Sequence, residues 1–126
     1  MDRRPRGDMP QIKSTLMPEF LAYAEANGVG WAQSEVAASD LQPSQDGMVE
    51  SSIVTLVGSK EQLTKPVLVS QDGYVLDGHH RWEACRRLGR SVLTRRLATG
   101  AEVSLQLMER FGQLPENKLL CTKKSA

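Results

Sequence analysis

The chain has 126 residues, 40% of them hydrophobic and 5% aromatic, with Lys and Arg contributing 16 charges against 15 from Asp and Glu, a formal net charge of +1. That size suits one domain with an ordinary core, and near-neutrality argues against a protein held on nucleic acid by charge alone, which is usually more basic. No apolar run approaches the roughly 20 residues that span a bilayer, and the opening Met1-Asp2-Arg3-Arg4-Pro5-Arg6 lacks the apolar stretch of a signal peptide.

Residues 1–16 read as a polar arm, punctuated by Pro5, Gly7 and Pro10 and tethered by Met9 and Ile12. Pro18 suits the first turn of a helix that runs through Phe20, Leu21 and Ala24 and stops at Asn27-Gly28. A loop with Gly28, Gly30 and Trp31 follows, then a short strand from Val36 to Leu41, closed by Pro43. A second helix is expected from about Gly47 to Val57, with Val49, Ile53, Leu56 and Val57 on one face. Pro66-Val67-Leu68-Val69 reads as a strand, Gln71-Asp72-Gly73 as a turn, and Tyr74-Val75-Leu76 as the returning strand, because Asp-Gly between apolar runs signals a hairpin. A helix from His79 to Leu88 would bury Trp82, Cys85 and Leu88 and end at Gly89. Ser91 to Leu97 is a further strand. Thr99 and Glu102 have capping-box spacing, which starts a last helix near Ala101 with Val103, Leu107 and Phe111 inward and Pro115 as its stop. The end, Lys123-Lys124-Ser125-Ala126, reads as a loose tail. There is no internal repeat. Cys85 and Cys121 lack zinc-like or redox-pair spacing, so a reduced, cytoplasmic protein is expected.

The chemistry concentrates in Asp77-Gly78-His79-His80-Arg81, which contains both histidines of the protein. An apolar strand runs into a glycine, and two imidazoles and a guanidinium open a helix. A helix N-terminus offers unpaired N–H groups and partial positive charge, so cationic side chains there build a cradle for an anion such as phosphate. Bound anion should raise the histidine pKa values. Without it, a neutral His79 could serve as general base toward a hydroxyl or water, with Asp77 orienting it. Adjacent helical residues point roughly 100° apart, so His79 and His80 are badly placed to share a metal. Mg²⁺ carried in on phosphates, with Asp77 as a ligand, is the better metal reading. Lys65 lies where it could reach phosphate, or it is a plain surface lysine. Arg86, Arg87 and Arg90, with Arg95 and Arg96 nearby, form a basic cluster that reads either as a solvated face or as contacts to nucleotide or DNA phosphates. Glu83, one turn from Arg86 and Arg87, is placed to pair with them. Trp82 reads as a core anchor rather than a base-stacking platform, the alternative its place beside the box leaves open.

The succession Val36 to Leu41, Lys65-Pro66-Val67-Leu68-Val69, Asp72-Gly73-Tyr74-Val75-Leu76 and Asp77-Gly78-His79-His80-Arg81 resembles the ParB/sulfiredoxin superfamily over roughly residues 36–97. ParB-type amino-terminal domains carry a Gly-Glu-Arg-Arg box at this position, and sulfiredoxins a Gly-Gly-Cys-His-Arg box. The resemblance implies an α+β fold, a small mixed β-sheet packed with helices. It implies a three-part organisation: arm and helix over residues 1–35, the ParB/sulfiredoxin-like domain over 36–112, and a C-terminal tail over 113–126. It also implies a site for a nucleoside di- or triphosphate, with Gly78 admitting the backbone and His80 and Arg81 matching the phosphate-contacting His-Arg pair. His79 stands where sulfiredoxins have their cysteine nucleophile, and imidazole cannot form the thiosulfinate, which argues against sulfiredoxin activity. A ParB-like CTP switch is put in doubt by His79 and His80 in place of Glu and Arg.

Three functions follow as expectations. The first is a nucleotide-phosphate-binding domain that hydrolyses or transfers a phosphoryl group, an activity the same scaffold hosts in free-serine kinases. The second is a DNA-binding or nuclease accessory protein, as in some plasmid-borne relatives; stand-alone domains with such a box resemble phage and plasmid accessories. The third is a catalytically silent protein whose arm, including Met9-Pro10-Gln11-Ile12, and first helix grip a protein partner.

Overall fold

A computed structural model describes residues 1–117; the Lys123–Ala126 tail lies outside the described residues. In chain order the elements are β1 (Arg4–Pro5), α1 (Met17–Ala26), β2 (Trp31–Ala37), β3 (Gln42–Pro43), β4 (Gln45–Asp46), α2 (Glu50–Val57), α3 (Lys60–Leu63), β5 (Val67–Val69), β6 (Tyr74–Asp77), α4 (His79–Arg87), β7 (Ser91–Leu97) and α5 (Ala101–Gln113). Short 3₁₀ turns sit between several of them. The main sheet has the order β2-β7-β5-β6-β3, and β1 and β4 form a separate two-stranded parallel pair. β2 runs antiparallel to β7, β7 parallel to β5, β5 antiparallel to β6 and β6 parallel to β3, so the sheet is mixed.

The central strands are apolar without alternation because both of their faces are covered. Leu68, Leu76 and Leu97 point into a core made with α1, α5 and the amino-terminal segment, around Phe20, Leu105, Met108 and Phe111. Val67, Val69, Val75 and Val92 point the other way, into a second core with Ile53, Leu63, Trp82 and Cys85 from α2, α3 and α4. Phe111 meets Phe20 edge-on at 5.5 Å between ring centroids, which locks α5 to α1. Trp82 anchors α4 with its indole N–H donating to Ala38 O at 2.8 Å, and burial pushes the neighbouring Cys85 thiol pKa up.

Several expectations are corrected here. The first long strand occupies Trp31–Ala37, not Val36–Leu41; Ala38–Asp40 is a 3₁₀ turn, and Pro43 belongs to the two-residue β3. Every residue of β2 except the half-buried Val36 is exposed, so no apolar alternation marked it as a strand. α2 starts at Glu50 and buries only Ile53, while Val49 is exposed. α3 was not anticipated. Leu88 and Val103 are exposed, whereas Trp82, Cys85, Leu107 and Phe111 are buried as expected and Leu105 and Met108 join them on the inner side of α5. The cap of α5 is Gly100, with no side-chain hydrogen bond from Thr99. Met9 and Ile12 are buried in the domain's own core and tether the arm, as expected.

Candidate phosphate site

The β6–α4 junction turns on Gly78. Its φ of +89° is left-handed, and a Cβ there would lie 2.9 Å from Val67 Cγ1 and 3.2 Å from Val67 Cβ. Only glycine meets both demands, so β5 presses against the junction and α4 can begin at once with His79. The Asp77 carboxylate closes the turn, with Oδ1 accepting the Gly78 N–H at 2.9 Å and Oδ2 the Ile12 N–H at 3.4 Å. Asp77 therefore ties the amino-terminal arm to the start of α4.

Both imidazoles accept backbone N–H groups. His79 is fully buried, and its Nε2 accepts the Ser44 N–H at 3.2 Å. His80 Nε2 accepts the Val49 N–H at 2.9 Å. A backbone N–H can only donate, so each Nε2 is the acceptor in these two bonds; the Ser44 hydroxyl also lies 3.3 Å from His79 Nε2. The two rings clamp the segment between β3 and α2 onto the start of α4. Arg81 is half-buried, donating from Nε to Gln62 O at 2.8 Å and from Nη1 to Pro66 O at 3.2 Å. Burial lowers its pKa, with the Asp77 charge opposing that shift.

Around these residues the surface is concave. One cavity of about 220 Å³ is lined by Arg6, Gln11, Leu56, Asp77, Gly78, His79, His80 and Arg81. A second, of about 760 Å³, shares Gln11, Asp77, Gly78 and Arg81 with it and adds Lys13, Gln62, Lys65 and Arg95 among its walls. The groove thus carries Arg6, Lys13, Lys65, Arg81 and Arg95 against one carboxylate, Asp77. Every member of the Asp77–Arg81 box lines it, and Lys65 joins them. Arg6, Gln11 and Lys13 were missed as site residues, while Arg95 was expected only in the basic cluster beyond α4. No local pattern marks the arm; the signal was Met9 and Ile12, whose apolar character in a polar segment foretold that it folds back.

Arg86 and Arg87 are engaged elsewhere. Arg86 Nη2 donates to Glu83 Oε2 at 2.8 Å, Arg87 Nε to Glu83 Oε2 at 3.0 Å, and Arg87 Nη1 and Nη2 to the two oxygens of Glu50 at 2.6 and 2.8 Å. These bonds hold both carboxyls below their ordinary pKa and raise that of Arg87. The cluster at the far end of α4, roughly 12 Å along the helix from His79, is an ion-pair network between α2 and α4, with Arg90 exposed beyond it. None of the three lines the groove. Among the described residues no three His, Cys, Asp or Glu side chains come together as a metal cage, and no helix is long and apolar enough to cross a membrane.

The fold is similar to that of a ParB N-domain. The structure described as the C2221 form of a pNOB8-like ParB N-domain is similar to this one with a TM-score of 0.51 at 16% identity, over 66% of this chain and 38% of that one. A further structure of the pNOB8-like ParB N-domain gives a TM-score of 0.41 at 16% identity, over 66% and 35%. The chain therefore corresponds to well under half the length of either. No protein-family model and no curated protein matches it.

Proposed function

We propose that this ParB-like domain binds the phosphates of a nucleoside di- or triphosphate in the groove at the start of α4. The observation that carries this reading is a pair of adjoining cavities at a helix N-terminus that share Arg81, one walled also by Arg6 and His80 and the other by Lys13 and Lys65. Such an arrangement favours a multiply charged oxyanion through helix-end N–H groups, local positive potential and charge-assisted hydrogen bonds. The smaller cavity suits a phosphate group, and the larger one has room for the sugar and base. Mg²⁺ arriving on the phosphates would find Asp77 as the carboxylate at hand, in keeping with the few protein ligands this ion takes. The proposal is for binding. A general-base role for His79 Nε2 would require it first to release the Ser44 N–H that it accepts inside the protein.

The test is thermal shift and calorimetry with ATP, ADP, CTP and GTP, each with Mg²⁺. A ligand that binds only the folded state raises the melting temperature by mass action. Lys13→Ala and Lys65→Ala remove exposed charges from the groove wall, and each should weaken binding roughly 2- to 10-fold. Arg81 is a poorer probe, since its bonds to Gln62 O and Pro66 O also hold α3 and β5. No shift with any nucleotide at millimolar concentration refutes the reading.

A second reading, that the groove follows a nucleic-acid backbone, is favoured by one feature: its positive wall continues from the box past Lys65 to Arg95. Binding to DNA that weakens steeply with salt, together with indifference to mononucleotides, would select it.

A further inference from the structure

β2 is an edge strand without the usual protection. The opposite edge of the sheet, β3, is two residues long and contains Pro43, which suits a strand that must not recruit a neighbour. β2 has seven residues, Trp31-Ala32-Gln33-Ser34-Glu35-Val36-Ala37, with no proline, lysine or arginine and no register irregularity against β7. Among the described residues β7 is its one neighbouring strand.

The pattern of its backbone bonds is set by the ladder. Ala98 N donates to Gly30 O at 2.8 Å and Ala38 N to Arg90 O at 3.2 Å, and the pairing between these ends is continuous, from Trp31 opposite Leu97 to Ala37 opposite Ser91. In an antiparallel ladder hydrogen-bonded pairs alternate with non-bonded ones. Even-numbered residues of β2 therefore exchange bonds with β7. The N–H and C=O groups of Trp31, Gln33, Glu35 and Ala37 turn outward, to the open edge.

We propose that this edge is a self-association surface, on which two copies of the chain pair their β2 strands antiparallel about a two-fold axis through Ser34. The register centred on Ser34 sets Trp31 opposite Ala37 of the second copy and Gln33 opposite Glu35, and both are hydrogen-bonded pairs. Every outward N–H and C=O of both strands is then satisfied. The side chains agree with it: the large Trp31 faces the small Ala37, the Gln33 amide faces the one charge of the strand, Ala32 faces Val36, and Ser34 faces itself. Cross-strand pairs of this kind are favourable, and like charges directly opposite are not. Moving the centre by one residue toward the C-terminus sets Glu35 against Glu35 and leaves Trp31 without a partner. Moving it the other way strands Ala37. The occupant that fits this edge is a second copy of this chain, in a closed two-fold arrangement that makes one continuous sheet. Two seven-residue strands bury less than the roughly 1,200 Å² typical of stable complexes, so the dimer forms and dissociates with concentration.

The test uses the full chain. Sedimentation between about 10 μM and about 1 mM should show a monomer–dimer equilibrium. Ser34→Lys, which sets two ammonium groups together on the axis, should leave a folded monomer throughout that range. In a Cys121→Ser background, Ser34→Cys should give a disulfide-linked dimer on mild oxidation. A non-hydrogen-bonded antiparallel pair has Cα atoms about 4.5 Å apart, within disulfide reach. Gln33→Cys, two residues out of register with its own copy, should not cross-link. A wild-type protein monomeric at the highest concentration, a Ser34→Lys variant that dimerises like the wild type, or equal cross-linking of the two cysteine variants would each overturn the proposal.

Discussion

Replacing Gly78 with alanine tests the junction on which the groove depends. Two costs add. At φ +89° an L-residue is strained by roughly 1–2 kcal/mol. The new Cβ also sits 2.9 Å from Val67 Cγ1, a contact between a helix start and a buried strand that can yield only by shifting one of them, and overpacking of this kind costs about 1–3 kcal/mol. The expected loss is about 2–5 kcal/mol, a large part of the roughly 5–15 kcal/mol that holds a domain of this size together. Urea unfolding at unchanged m-value measures it. Gly47→Ala separates the two costs, because Gly47 has nearly the same φ, +83°, and open space where the Cβ would go; it should lose only the strain. Val67→Ala supplies the coupling. Alone it leaves a cavity, but combined with Gly78→Ala it relieves the contact, so the double variant should be more stable than the sum of the single losses implies. If Gly78→Ala costs no more than Gly47→Ala, β5 does not press on the start of α4 and the account of the junction is wrong.

Other variants reach other parts of the argument. Glu83→Gln should cost about 1–2 kcal/mol at pH 7, because it removes the carboxylate shared by Arg86 and Arg87, both of them substantially exposed and therefore screened. The Arg86 bond first, and then that of Arg87, hold the Glu83 pKa below its ordinary 4.5 against burial. Its contribution is thus complete above pH 4.5 and lost as pH falls through the folded value, so denaturation curves of wild type and Glu83→Gln should converge in acid. A gap that persists when Glu83 is protonated would mean the effect is packing. Met9→Ala should cost about 2–4 kcal/mol, since Met9 is fully buried against α1 and α5; a loss below about 0.5 kcal/mol, the range of a surface substitution, would show that the arm is not part of the core.

What residue order determined by itself was local. The Asp72-Gly73 turn between apolar runs specified the β5–β6 hairpin, and Gly89 the end of α4. Both signals lie within a few residues, in turn chemistry and side-chain period. The strand from Ser91 to Leu97 was readable for the same reason. The concentration of His79, His80 and Arg81 behind a glycine marked the candidate site because its residues are contiguous in sequence. What only tertiary structure decided involved partners distant along the chain. β2 is a strand because β7 pairs with it, not because its own side chains alternate. Arg86 and Arg87 belong to Glu83 and to Glu50, the latter on another helix. Arg6 and Lys13 line the groove because Met9 and Ile12 are buried and Asp77 accepts the Ile12 N–H. Ser44 and Val49 give the two imidazoles their donors across 35 and 31 residues of sequence. Turn and helix signals act through bonds between near neighbours and can be read along the chain. The ownership of a charge or a ring nitrogen depends on which distant atoms folding brings within hydrogen-bond reach of it, and neither composition nor periodicity encodes that.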